Sequence, residues 1–137
     1  MRAIIDTNVV LDALLDRSPF AQVATEIFRL TECSEIEAFL CATTVTTIDY
    51  FIGQSLTRRE SRSALRRLLE LFDVAPVNRS VLERALSMDM RDYEDAVIAG
   101  AGELVGAETI ITRNAKDFVR CPLRVFQPDE FLIALRS

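Results

Sequence analysis

Apolar residues recur along this chain at two alternating spacings. Ala3 to Ile5 is a short apolar run closed by Asp6-Thr7-Asn8, and Val9 to Leu15 continues apolar around one polar residue, Asp12. That pattern predicts a buried strand turning directly into a helix, which Pro19 ends. Val23, Ile27 and Leu30 then stand at helical spacing within Gln22 to Thr31, Glu37 to Cys41 reads as a second strand, and a helix from about Thr44 to Ile52 is closed by Gly53.

Thr57-x-x-Glu60 is a capping-box pattern ahead of an amphipathic stretch in which Leu65, Leu68, Leu69 and Phe72 form one face,. Val74 to Val77 predicts a third strand. Ser80-x-x-Glu83 repeats the capping pattern before Val81, Leu82, Ala85 and Leu86, and a further helix runs from near Asp92 to about Leu104,. Glu108 to Thr112 and Leu123 to Phe126 predict two last strands, and Pro128 opens a terminal helix,.

Strands that alternate with helices imply a mostly parallel central sheet covered on both faces, a three-layer α/β/α sandwich joined by right-handed crossovers. Binding sites in such folds lie beyond the carboxyl ends of the strands. No repeat, low-complexity tract or linker interrupts the alternation, so residues 1–137 are expected to form a single domain,.

Composition narrows the chemistry. Half of the 137 residues are apolar, enough to fill a core without disulfides. The three cysteines, Cys33, Cys41 and Cys121, are odd in number and widely spaced. They predict small buried hydrophobes in a reducing compartment, not a disulfide framework or a zinc site. No apolar run approaches the length of a membrane span, so the expectation is a cytoplasmic protein with no membrane partner,. The absence of histidine removes the commonest general base and most zinc sites,. A formal charge of −5 argues against coating of nucleic acid while leaving room for a local basic strip.

Carboxylates must therefore carry any hydrolytic chemistry. Asp6 and Asn8 follow the first strand; Thr112, Asn114 and Asp117 follow a later one; Asp92 and Asp95 begin a helix. By the strand-end rule these residues converge in one cleft. Clustered carboxylates repel one another and retain protons unless a divalent cation neutralises them, and an all-oxygen donor set selects Mg²⁺ or Mn²⁺. Each residue also has a plainer reading. Asp6 suits a strand-ending turn, Asp92 an N-cap with Asp95 favouring the helix dipole, and Asp49 a solvated helix face beside the core residues Ile48, Phe51 and Ile52.

Four segments together resemble the PIN-domain nucleases, especially the toxin subunits of VapBC toxin–antitoxin pairs. They are Ile4-Ile5-Asp6-Thr7-Asn8, Thr43 to Asp49, Asp92-Tyr93-Glu94-Asp95-Ala96-Val97-Ile98-Ala99, and Ile111-Thr112-Arg113-Asn114-Ala115-Lys116-Asp117-Phe118. They occur in the family's order over nearly the whole chain. The resemblance implies a PIN-like fold and an Mg²⁺- or Mn²⁺-dependent endoribonuclease, the toxin of a type II pair, with RNA as substrate, a cognate antitoxin and a homodimeric state. It makes Asp6 and Asp95 metal ligands. The family's second acid, usually Glu, falls on Asp49, one methylene shorter, with Thr46 at the hydroxyl position three residues before it. The fourth acid often stands where this chain has Asn114, and members with Asn there commonly carry a following acid, here Asp117. The implied catalytic set is Asp6, Asp49, Asp95 and Asp117, the metal being held by Asp6, Asp95 and Asp117. Asn8, Thr46, Asp92, Thr112 and Asn114 orient ligands or water.

The helix bearing Arg58, Arg59, Arg62, Arg66 and Arg67 is expected either to contact RNA phosphates at the cleft rim or to form a solvated face paired with Glu60 and Glu70. Two other functions remain open at this level. One is a PIN-like RNA- or protein-binding module with a weakened site. The other is a phosphotransfer domain of the response-receiver kind, which also places Asp after its first strand and for which Lys116, the only lysine, follows a strand. Such domains usually carry a second acid beside the first, where this chain has Thr7 and Asn8.

Overall fold

The computed structural model describes residues 1–137. Its elements run β1 (Arg2–Ile5), α1 (Thr7–Leu14), α2 (Ala21–Glu32), β2 (Glu37–Cys41), α3 (Ala42–Ile52), α4 (Arg58–Leu71), β3 (Asp73–Ala75), α5 (Arg79–Leu86), α6 (Tyr93–Leu104), β4 (Thr109–Ile111), β5 (Arg124–Phe126) and α7 (Pro128–Arg136). A single 3₁₀ turn, Ala115–Phe118, lies between β4 and β5. The five strands form one sheet in the order β3-β2-β1-β4-β5, every pairing parallel. The expected sandwich is therefore present, with a wholly parallel sheet.

Strand alternation divides the core between the two faces. Ala3, Ile5, Ala38, Leu40 and Ile111 pack with α1, α2, α3, α4 and α7, whereas Ile4, Phe39, Cys41 and Ile110 pack with α5 and α6. The burial of large aliphatic side chains such as Ile4 and Ile5 contributes roughly 1.5–3 kcal/mol each. Helix α6 is buried at every position from Ala96 to Gly102, and its Ala and Gly residues let it lie close to the sheet. A Cβ at Gly102 would meet Ile4 Cγ2 and Leu123 Cδ1, each at 2.9 Å.

The capping box at Thr57 and Glu60 is present, and Gly53 ends α3 as expected. The second predicted box is not formed. Asn78 caps α5 by accepting from Val81 N, which leaves Ser80 inside the first turn. Pro76 lacks the N–H to continue a ladder, so β3 ends at Ala75 and not at Val77,. The inward face of α4 is Ser61, Ala64 and Leu68, with Leu69 turned to solvent, and Phe51, Leu82 and Leu86 are likewise exposed. These helices cover only one flank each, so apolar residues off the contact stripe stay wet. Of the cysteines only Cys41 is buried, Cys33 being exposed. No helix is long and apolar enough to cross a membrane.

Candidate active site

The strand order reverses between β1 and β4, which go to opposite sides of the sheet for their next neighbours. That switch point is where a parallel α/β sheet opens a crevice at the strand carboxyl ends. Ile5 pairs with Ile111, so the next residues, Asp6 and Thr112, emerge side by side. Helix α6 precedes β4, so its first turn, with Asp92 and Asp95, lies at the same end of the sheet.

Asp6 is almost wholly enclosed, 6% exposed. Its Oδ1 accepts from the Thr7 backbone N–H at 2.8 Å and caps α1. Its Oδ2 accepts from the Thr112 hydroxyl at 2.7 Å and from Asn8 Nδ2 at 3.3 Å. Thr112 Oγ1 in turn accepts from Asn114 N–H at 3.0 Å, so the hydroxyl proton is committed to Asp6. Burial pushes the Asp6 carboxyl above the usual aspartate range; the Thr112 and Thr7 donors pull it back, and the charges of Glu94 and Asp117 push it up further. Asp95, half-buried, is pushed up to about 7 by desolvation and then by the charges of Asp6, Asp92, Asp117 and Glu94. Asp92 caps α6 and accepts from Asp95 N–H at 3.0 Å, which fixes the backbone that carries Asp95.

The structure thus brings Asp6, Asp92, Asp95 and Asp117 into one electrostatic neighbourhood, with Asn8, Thr112 and Asn114 in its hydrogen-bond frame. Glu94, which the sequence reading passed over, belongs to it. Its signal was its place in an unbroken Glu94-Asp95 pair within the first turn of α6. Asp49 and Thr46 are placed differently. Asp49 lines a surface pocket with Gly53, Leu56, Arg58, Ser61 and Arg62, and the Thr46 hydroxyl donates to the Thr43 carbonyl at 2.9 Å. Another hydroxyl, Thr44, fully buried, meets Thr7 Oγ1 at 3.3 Å and ties α3 to the start of α1.

No three of these carboxylates stand at ligand distance around one point. The donor set nevertheless fits a hard cation. It consists of oxygen atoms alone, with two acids held above their ordinary pKa by burial and mutual repulsion, and Mg²⁺ binds through as few as one or two carboxylates while keeping several waters. The five arginines of α4 are all exposed, and the ion pairs of the protein all lie elsewhere. Glu60 serves the capping box and not those arginines, its Oε1 accepting from Thr57 N–H at 2.9 Å.

The family model described as PIN domain matches residues 2–116. Curated proteins give no significant sequence match. Among solved structures, VapBC2 from Rickettsia felis bound to a DNA fragment from its promoter superposes with a TM-score of 0.71 at 17% identity, over 93% of this chain and 98% of that one. A toxin–antitoxin complex from Klebsiella pneumoniae gives a TM-score of 0.70 at 23% identity, over 92% of this chain and 97% of the other. A third, FitAcB from Neisseria gonorrhoeae, gives 0.69 at 21% identity over the same shares.

Proposed function

This chain belongs to the PIN-domain family, and from that premise we propose that it is a Mg²⁺- or Mn²⁺-dependent endoribonuclease, the toxin of a toxin–antitoxin pair, acting as one domain in the cytoplasm. Members of the family are nucleases. The observation that carries the reading is the pairing of Asp6 with Asp95, two acids from different elements, one enclosed and one half-buried, whose charges oppose each other at the carboxyl end of the sheet. Perturbed carboxyls of this kind concentrate at functional sites. The β3-β2-β1-β4-β5 order is not the 2-1-3-4-5 order of receiver domains, which disfavours the phosphotransfer alternative.

In this reading Asp6, Asp95 and Asp117 hold the cation, and Asp49 contributes from the pocket beside Arg58 and Arg62. A divalent cation, when bound, supplies Lewis acidity and lowers the pKa of water enough for it to attack a phosphodiester near neutrality. Thr112 and the Thr7 N–H keep the Asp6 carboxyl aimed and pull its pKa back toward the ordinary range. Asn8 holds the same oxygen from its other side, Asn114 sets the Thr112 hydroxyl, and Asp92 sets the turn that presents Asp95. Thr46 steadies the helix behind Asp49. Without the cation Asp95 keeps a proton until about pH 7. Arg58, Arg59, Arg62 and Arg66, free of acid partners, contact RNA phosphates, positioning the strand without reading its sequence.

The antitoxin partner and the homodimer are part of the proposal; they draw support from the toxin–antitoxin complexes to which the fold is similar. The scattered acids, with no three at ligand distance, favour one second reading, a PIN-like RNA- or protein-binding module with a weakened site. Cleavage of single-stranded RNA with added Mn²⁺ separates the two. The nuclease reading expects cutting that is lost in Asp6→Asn and Asp95→Asn proteins that remain folded. RNA binding without metal-dependent cutting would replace it with the binding module.

A further inference from the structure

Asp12 is 1% exposed on the second turn of α1, with no part in the acidic crevice. Both its oxygens are engaged. Oδ2 accepts from Arg113 Nε at 2.6 Å, while Oδ1 accepts from Arg113 Nη2 at 3.2 Å and from Arg17 Nε at 2.9 Å. The Arg113 guanidinium also lies over the Phe20 ring, 3.9 Å from its centroid. Asp16, in the left-handed region at φ 50, turns the chain after α1 so that Arg17 comes back over that helix.

Buried ion pairs of this kind are weak evidence for stability, because desolvation opposes the Coulomb attraction, and their best-attested use is to fix a register. The register here is legible. Arg113 follows Thr112, and its backbone N–H donates to Asn8 Oδ1 at 3.3 Å. Arg17 Nη2 donates to the Asn8 carbonyl, also at 3.3 Å. Asn8 is therefore gripped at its backbone and at its amide oxygen by the two arginines that Asp12 anchors. Gripping the amide oxygen leaves Nδ2 only one direction to point, toward Asp6 Oδ2.

We propose that Asp12 is a positioning residue: through Arg113 and Arg17 it orients the Asn8 amide and so sets the Asp6 carboxylate against Thr112. The consequence for metal binding rests on the nuclease reading. Groups that orient a metal ligand typically account for 10–100-fold in metal affinity, so the isosteric Asp12→Asn change, which keeps the shape and removes the charge, is expected to weaken Mn²⁺ binding about 10-fold.

The test uses the whole chain in three variants: Asp12→Asn; Arg113→Lys, which keeps the charge and loses the two-pronged grip; and Ile27→Val, a core truncation in α2 that lowers stability without touching the network. Mn²⁺ affinity is read by electron paramagnetic resonance. In metal-free protein the Asn8 side-chain amide signals are read by ¹⁵N NMR. The expected result is weaker Mn²⁺ binding and Asn8 signals moved toward free-amide values in the first two variants, with Ile27→Val like wild type in both. Wild-type Mn²⁺ affinity in a folded Asp12→Asn protein overturns the inference, as does an unmoved Asn8 amide. A wild-type protein that binds no Mn²⁺ sinks the metal reading instead, and the Asn8 signals alone then decide whether Asp12 positions it.

Discussion

Replacing Asp95 by Asn should make the metal-free protein more stable at pH 8 and change it little near pH 4. Asp95 titrates at about 7 in the fold against an ordinary value of 3.8. Between those values the folded chain retains a proton that the unfolded chain has released, so stability falls as pH rises through the window and is level above it. One pH unit corresponds to about 1.36 kcal/mol, which sets a ceiling of about 4 kcal/mol for a fully shielded group. Asp95 is only half-buried, and solvent screening reduces that to roughly 1–2 kcal/mol. Urea unfolding in excess chelator at pH 5 and pH 8 reads the difference. Between pH 5 and pH 8 about two thirds of the window is crossed, so wild type should lose about 1 kcal/mol more than the variant,. Asp6, also raised, slopes in the same direction in both proteins and largely cancels. Mn²⁺ at pH 8 should restore the wild-type loss and leave the variant unmoved. Parallel pH slopes for the two proteins, or an Asp95→Asn protein less stable than wild type at pH 8, would refute the claim that these acids oppose each other.

Gly102→Ala should cost about 1–3 kcal/mol in chemical unfolding, because its Cβ would press at 2.9 Å on Ile4 and Leu123,; an unchanged midpoint would mean that α6 is not held as close to the sheet as described. Arg62→Ala should weaken binding of single-stranded RNA uniformly across sequences and reduce the slope of log affinity against log salt by about 0.7, the single-strand value for one phosphate contact. An unaltered slope would assign this arginine to the solvated face.

Much of the fold was legible because each β-strand here is brief and bounded. Glu37 to Cys41 was readable as a strand to the residue, and Asp92 and Pro128 announced their helices through local chemistry. What was not legible depended on neighbours distant in sequence. Leu69 continues the apolar stripe of α4 as well as Leu68 does, and only the position of α2 and α3 decides that Leu68 is the one covered. Asn78 outcompeted Ser80 as the cap of α5 because the chain leaves β3 at Pro76 and reaches helical geometry two residues earlier than the motif suggested. In the site, the acids at strand ends and helix starts could be read from topology. Asp12 could not, since a polar residue inside an apolar helical run has no visible partner until Arg17 and Arg113, the latter 101 residues away, fold against it.

The two central acids are both raised above the ordinary aspartate range, but their surroundings differ, and the difference follows from where each one sits. Asp6 follows a central strand and is almost wholly enclosed, which raises its pKa; three donors, from Thr7, Asn8 and Thr112, offset part of that cost and hold the carboxyl in a fixed direction,. Asp95 lies in the first turn of α6, where its backbone N–H already donates to Asp92. The hydrogen bonds of the site converge on Asp6, and the charges of four acids converge on Asp95. Hydrogen bonding thus orients the Asp6 carboxyl and offsets part of the cost of its burial, whereas Asp95, pushed up to about 7, has burial and four neighbouring acids against its charge. On the proposed nuclease reading, a divalent cation bound between these acids would relieve the repulsion that raises Asp95, and that relief would contribute to its affinity,.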